Sequence, residues 1–299
     1  MRTLESLEIG LMFRAGGDPL DTVRSVEEFG LRCGQLGVRG AVDLDAEAWK
    51  LALETEQFTI ITVFAGYTGE SYADIPAVRR TVGFVPRETR IEREARTYAV
   101  CDFAAALGVG SFACHIGCLP DNPSDSNYLE VRDVVRRVAD YAARHAQTFA
   151  LETGQESASA LLRFLQEADR PNLRINFDPA NMVLYGSGDP IPALGLLSKY
   201  VVSVHCKDGN WPVESCPGSL GVETPLGQGA VGIERFVAKL KEVGYQGQLF
   251  IEREIKDGPE KQRDVEIGIQ LLRRCGGYVP KSMLHVTGGS RGHREGSNQ

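Results

Sequence analysis

The run FALETG, residues 149–154, places three apolar residues before a carboxylate and then a turn. The same order of apolar run, metal-capable side chain and turn recurs at residues 175–179 (INFDP), 202–208 (VSVHCKD) and 250–254 (FIERE). Side chains alternate between the two faces of a strand, so each polar residue points away from its apolar neighbour. Four successive parallel strands would therefore bring these polar side chains together at one end of a sheet. They are Glu152, Asp178, His205 and Glu252.

The whole chain alternates short apolar runs with longer amphipathic segments, and the alternation occurs eight times. The predicted strands are 7–13, 31–36, 59–64, 111–115, 149–152, 174–178, 201–205 and 249–252. Eight β-then-α units with short connections predict parallel strands with right-handed crossovers. A closed (β/α)₈ TIM barrel leaves no edge strand exposed. An open doubly wound sheet is the alternative, but the early pair Gly16-Gly17 lacks the GxGxxG spacing typical of that fold.

We expect one barrel domain over residues 1–280 and a disordered tail over residues 281–299. Barrels of this length commonly form one domain, and the tail is polar and rich in Gly, Ser and Arg. Helix starts are predicted at Asp18-Pro19, Ser126 or Asn127, and Asp189-Pro190. Two long insertions, 67–86 and 209–229, follow strands, which places them on the C-terminal face where barrel active sites are built.

Composition and charge exclude several classes of protein. The chain has 299 residues and a formal net charge of −7, and an acidic chain without a basic stripe does not fit a nucleic-acid partner. No stretch approaches the length of a membrane span, and Glu5 and Glu8 near the start do not fit a signal peptide. The seven cysteines form no CxxC pair, which favours reduced thiols and a cytoplasmic protein.

The four polar strand ends indicate a metal site. Three carboxylates that converge without a counter-ion repel each other, and a divalent cation removes that cost. Oxygen-rich ligation with one histidine suits Mn²⁺, Mg²⁺ or Co²⁺ better than a structural zinc site. We predict one divalent ion per chain, with Mn²⁺ as the first choice and Mg²⁺, Co²⁺ or Zn²⁺ as alternatives. Its ligands would be Glu152, Asp178, His205 and Glu252.

These motifs together resemble one family. The resemblance rests on residues 151–154 (LETG), 176–181 (NFDPAN), 205–208 (HCKD), 225–229 (PLGQG) and 251–252 (IE). They are similar to the sugar phosphate isomerase/epimerase group of xylose isomerase-like barrels, which is related to ketose 3-epimerases, inosose dehydratases and endonuclease IV. The resemblance covers roughly residues 5–275. It implies the barrel fold, the four metal ligands and proton transfer at a carbon next to a carbonyl.

The sequence departs from the ketose 3-epimerase pattern at three sugar-contacting positions. Ala158 stands where those enzymes carry a glutamate, Asn181 where they carry a histidine, and Trp211 where they carry an arginine. These departures weaken the prediction of a free-ketohexose epimerase. The resemblance to endonuclease IV would imply a histidine-rich site with three metals. This chain has five histidines in total, which argues against such a site.

Five residues are predicted to contact a small, sugar-like substrate. They are His115, Lys207, Asn181, Gln155 and Trp211. His115 ends the fourth strand at the height of the metal site. Lys207 shares the inward parity of His205 and either binds a substrate oxygen or pairs with Asp178 or Glu252. The oligomeric state stays open, with a homo-oligomer among the options.

We predict a metal-dependent isomerase or epimerase of a keto-sugar or sugar derivative. Glu152 and Glu252, on the fifth and eighth strands, would remove and return a proton through a metal-stabilised enediolate. The alternative is a lyase, a dehydratase or keto-glycoside-cleaving eliminase, that uses the same metal and base. A barrel that only binds a sugar is a rival from another class, but binding alone does not need two opposed bases.

Overall fold

A computed structural model describes residues 7–39 and 44–280, so the predicted tail lies outside the described residues. Eight parallel strands pair in sequence order, and pairing of the last with the first closes the barrel. The closure joins Gly10 to Phe250 in register. These strands are β1 Leu7–Arg14, β2 Cys33–Val38, β3 Thr59–Ala65, β4 Ser111–Cys114, β5 Thr148–Glu152, β6 Leu173–Phe177, β7 Val201–Cys206 and β10 Leu249–Ile251. The predicted (β/α)₈ TIM barrel is confirmed.

Helices follow the strands around the barrel. They are α1 Pro19–Glu27, α2 Ala46–Glu56, α3 Ile75–Thr81, α4 Arg90–Ala106, α5 Ser126–Ala143, α6 Ala158–Ala168, α7 Pro179–Tyr185, α8 Pro190–Leu197, α9 Ile233–Glu242 and α10 Pro259–Arg274. The three predicted helix starts are confirmed, because Asp18, Asp125 and Asp189 each accept backbone N–H groups as N-caps. Within the described ranges, no helix has the length and apolar character that a membrane crossing requires.

Most strand ends differ from the prediction by one residue, and larger differences occur at the second strand and in the two insertions. The second strand begins at Cys33 and not at Leu31, because Leu31 is buried by packing before strand pairing starts. The insertion 67–86 contains α3, whose N-cap Asp74 accepts the Ala77 N–H. The insertion 209–229 contains most of an antiparallel ribbon of β8 Asp208–Asn210 and β9 Val222–Thr224. A short β11, Gly277–Tyr278, pairs in parallel with the start of β1.

The barrel wall separates two layers of side chains. Leu151, Phe177 and Val204 belong to the large apolar core outside the wall, where the helices pack. Phe64, Ala113 and Ala150 form a small apolar cluster apart from that core. The polar residues next in sequence to Leu151, Phe177 and Val204 take the opposite face, as the alternation along each strand predicts. The strand ends therefore carry their polar side chains into the barrel mouth.

Candidate metal centre and active site

The four predicted ligands meet at the C-terminal ends of β5, β6, β7 and β10. One ligand atom from each lies within 4.8 Å of all the others. His205 Nδ1 is the common neighbour, at 2.9 Å from Glu152 Oε1, 3.1 Å from Glu252 Oε2 and 3.5 Å from Asp178 Oδ2. All four residues are buried. The predicted convergence is confirmed, and the group is one that could hold a metal ion.

The two carboxylate oxygens of Asp178 have different surroundings, since Oδ1 contacts backbone N–H groups and Oδ2 faces His205. It is the N-cap of α7, and its Oδ1 accepts the N–H groups of Ala180 and Asn181 at 2.8 and 3.0 Å. Its Oδ2 is buried without a hydrogen-bond partner, as is His205 Nδ1. Native proteins seldom leave two facing polar atoms buried in this state. An ion of the Mg²⁺ or Mn²⁺ type, with ligand distances of about 2 Å, fits between them.

His115 holds the outer oxygen of Glu152. Its Nε2 lies 2.9 Å from Glu152 Oε2, at the end of β4 where the sequence places it. Burial lowers the pKa of His115, but the Glu152 carboxylate more than offsets this and raises that pKa to about 9. Burial in turn raises the pKa of Glu152, and the two histidines beside it bring that pKa well below its usual range. Glu152 is therefore a carboxylate with a histidine on each side.

Lys207 has the same relation to Glu252. Its buried Nζ lies 3.2 Å from Glu252 Oε2, 3.6 Å from Asp178 Oδ2 and 2.5 Å from Glu254 Oε2. Burial lowers the pKa of Lys207, and the surrounding carboxylates raise it well above its usual value. Burial raises the pKa of Glu252, but His205 and Lys207 together lower it below its ordinary value. Of the two roles predicted for Lys207, the pairing with carboxylates is present.

A cavity of about 450 Å³ opens above these residues. Three of the five predicted substrate contacts, His115, Lys207 and Asn181, line it together with both glutamates. Gln155 instead lines a neighbouring cavity of about 460 Å³, and Trp211 is 43% exposed and lines neither. Their contact with substrate stays a prediction. Further lining residues, which the sequence did not predict, include Met12, Phe64, Tyr72, Leu184, Tyr185 and Leu220.

Two other residues of the site were missed from the sequence. Glu254 accepts hydrogen bonds from Arg14 and Lys207 and lines the cavity. Its only signal was that it repeats the inward parity of Glu252. Gln35, buried on β2, contacts His205 Nε2 at 2.8 Å. Its signal was a lone amide in the middle of a short buried strand.

A second group with metal-capable side chains occurs among the described residues, at Cys101, Asp102 and His145. His145 Nε2 lies 3.2 Å from Asp102 Oδ1 at the protein surface. Cys101 is buried and its thiol donates to Gln147 Oε1. This group has one exposed carboxylate, whereas the barrel mouth has three buried ones, so the barrel mouth is the stronger candidate for a metal site.

A family model described as a xylose isomerase-like TIM barrel matches residues 23–275. Among solved structures, the chain is 39% identical to a xylose isomerase domain protein from Planctomyces limnophilus, with a TM-score of 0.86 over 90% of this chain and 97% of that one. A 3-keto-D-glucoside 4-epimerase from E. coli is 17% identical, with a TM-score of 0.67 over 90% and 100%. A D-allulose 3-epimerase from Methylomonas sp. is also 17% identical, with a TM-score of 0.67 over 91% and 98%. The structural neighbours thus include sugar epimerases, which at this identity share the fold. No curated protein matches the sequence significantly.

Proposed function

The chain belongs to the xylose isomerase-like TIM-barrel family, and we propose that it is a divalent-metal-dependent isomerase or epimerase of a keto-sugar or sugar derivative. One observation carries the proposal. Glu152 and Glu252 come from β5 and the end of β10, approach the same His205 nitrogen at 2.9 and 3.1 Å, and line one cavity. Two carboxylates that approach one point from different strands are suited to remove a proton from one face of a substrate and return one to the other.

The ligands proposed for the ion are Glu152, Asp178, His205 and Glu252. Three carboxylates and one imidazole favour Mn²⁺, with Mg²⁺, Co²⁺ or Zn²⁺ as alternatives. When bound, such an ion supplies Lewis-acid polarisation of a substrate carbonyl, which acidifies the hydrogen on the neighbouring carbon. Asp178 Oδ2 and His205 Nδ1 are both buried without a hydrogen-bond partner, which supports this assignment.

The two glutamates are the proposed bases. One takes the proton from the carbon next to the carbonyl, and the other delivers a proton from the opposite face, which inverts the centre. The glutamate that takes the proton must begin ionised, a state that His115 favours at Glu152 and Lys207 favours at Glu252. The glutamate that delivers a proton must begin as the carboxylic acid. Proton-transfer groups typically contribute about 10²–10⁴-fold to the rate.

The proposed substrate is a keto-sugar that carries a further group. A volume of about 450 Å³ suits a ligand larger than one small sugar. Part of the cavity wall is apolar, with Met12, Leu184 and Leu220. The charged contacts of ketose 3-epimerases are replaced at Ala158 and Asn181. A 3-keto-D-glucoside 4-epimerase is among the structural neighbours, as is a D-allulose 3-epimerase of the same similarity.

A lyase is the second candidate, and the position of His115 favours it. Its Nε2 lies 2.9 Å from Glu152 Oε2, and its side chain lines the cavity. In elimination, a glutamate takes the proton from the carbon next to the carbonyl. The bond between the following carbon and its oxygen substituent then breaks, and the departing oxygen needs a proton. His115 is the proposed donor of that proton.

All seven cysteines are unpaired, which supports a cytoplasmic enzyme.

Proton exchange in D₂O tests the proposal. The Mn²⁺-loaded protein is incubated with ketoses and 3-keto-glycosides, the metal is removed, and NMR follows deuterium incorporation, inversion and elimination. We expect deuterium incorporation with inversion, lost in Glu152→Gln and Glu252→Gln but kept in the exposed control Glu47→Gln. Release of the substituent would assign the lyase. Absence of exchange and of elimination with every substrate would count against both enzymes.

A further inference from the structure

A chain of polar side chains crosses the barrel interior beneath the metal-capable group. It consists of Gln35 on β2, Asn176 on β6 and Ser203 on β7, all buried. Asn176 and Ser203 are neighbours in register. Ser203 lies two residues before His205 on β7, so both point to the same face. The chain therefore ends directly against the His205 ring.

Hydrogen bonds give the chain a direction. Asn176 Oδ1 accepts from both Ser203 Oγ and Gln35 Nε2, the latter at 3.2 Å. Because the amide nitrogen of Gln35 is used in this way, its Oε1 faces His205 Nε2, at 2.8 Å. An amide oxygen accepts only, so His205 Nε2 carries the hydrogen in this arrangement. In a neutral ring, Nδ1 then has a free lone pair, directed at the three carboxylates.

We infer that Gln35 is a positioning residue that holds His205 in the tautomer whose Nδ1 lone pair points to the metal. The inference rests on the proposed function, because it assumes a metal at the four ligands. If both amides were turned over, Gln35 would donate to Nε2 and the hydrogen would sit on Nδ1, where the ion belongs. Metal-binding histidines generally donate their other N–H to such an acceptor, and its loss commonly weakens metal binding.

Phe64 supports the same orientation from the side. Its ring centroid lies 5.2 Å from that of His205, on the neighbouring inward face of β3. Packing against Phe64 thus limits rotation of the His205 ring, and Gln35 sets the tautomer of that ring. Thr62, also buried on β3, offers a matched comparison, since its hydroxyl has no hydrogen-bond partner in the described part of the chain. Thr62→Val removes a buried hydroxyl next to Gln35 in register and leaves every hydrogen bond of the amide chain in place.

Mn²⁺ affinity of chelator-stripped protein, measured by titration calorimetry, tests the inference without any substrate. Gln35→Met removes the acceptor at similar length, and we expect about 10–100-fold weaker binding. Gln35→Glu keeps an oxygen facing Nε2 and should retain most of the affinity, while Thr62→Val should bind like the wild type. Melting temperatures of the stripped variants separate a metal effect from general destabilisation.

A second measurement covers the case in which Gln35→Met does not fold. In wild-type protein with ¹⁵N-labelled histidine and bound Mg²⁺, the His205 resonances should show a neutral ring protonated at Nε2. Wild-type affinity in Gln35→Met, equal losses in Gln35→Met and Gln35→Glu, or a proton on Nδ1 would overturn the inference and leave the proposed function standing. Failure of the wild type to bind any divalent ion would overturn both.

Discussion

Replacement of Lys207 by methionine removes a buried ammonium group and keeps the length of the side chain. Nζ lies 3.2 Å from Glu252 Oε2 and 2.5 Å from Glu254 Oε2. With an effective dielectric constant of about 20, the attraction to Glu252 alone is about 5 kcal/mol, part of which offsets the burial of both charges. We expect Lys207→Met to lower the free energy of unfolding by about 3–5 kcal/mol, because uncompensated carboxylates stay buried.

Thermal unfolding of the chelator-stripped protein measures this loss. For a domain of this size, 3–5 kcal/mol corresponds to a fall in Tm of roughly 6–20 °C. Lys261→Met is the control, since Lys261 pairs with an Asp257 side chain that is 93% exposed, and such pairs contribute about 0–1 kcal/mol. Saturating Mn²⁺ should recover part of the loss in Lys207→Met, because the ion supplies the missing charge. Equal Tm values for the two variants would refute the reasoning.

Burial raises the pKa of Glu156 from 4.5 to about 7, so stability from its bound proton is present below pH 4.5 and lost as the pH rises through 7. Urea unfolding measures this effect. Between pH 4.5 and about pH 8, the free energy of unfolding of the wild type should fall by up to about 3 kcal/mol relative to that of Glu156→Gln. Parallel curves of unfolding free energy against pH for the two proteins would contradict this. Gly83→Ala should lower Tm more than Gly69→Ala. Both glycines have positive φ, but only at Gly83 would an added Cβ meet backbone atoms, at 2.0 Å. Equal falls in Tm would argue against this close contact between loops. Leu220→Ala should raise KM, because Leu220 lines the cavity, and a larger rise in Trp211→Ala would show that the loop closes over substrate.

The fold was predictable because each strand carries a short apolar run and each connection carries a local signal. Asp-Pro pairs mark helix starts at Pro19 and Pro190, and the observed N-caps agree. The convergence of the four metal-capable residues was predictable for a related reason. These residues stand at the ends of consecutive barrel strands, so strand alternation alone brings them together.

Features that depend on long-range contacts were not predictable. Gln35 meets His205 across 170 positions of the sequence, and Arg14 meets Glu254 across 240. No local pattern encodes such a pairing, which follows from barrel closure. The ribbon of β8 and β9 was missed because its strands have three residues each, too few for an alternation to show. Trp211 illustrates the same limit, since its position in a loop does not fix where its ring points.

Metal content is the most direct test of the central claim. Elemental analysis is made of wild-type protein, of His205→Ala and of the matched control His145→Ala, which changes the second metal-capable group. About one divalent ion per chain is expected in the wild type and in His145→Ala, and almost none in His205→Ala, because His205 Nδ1 is the common neighbour of three carboxylates. An undiminished metal content in His205→Ala, or a loss confined to His145→Ala, would contradict the assignment of the metal to the barrel mouth.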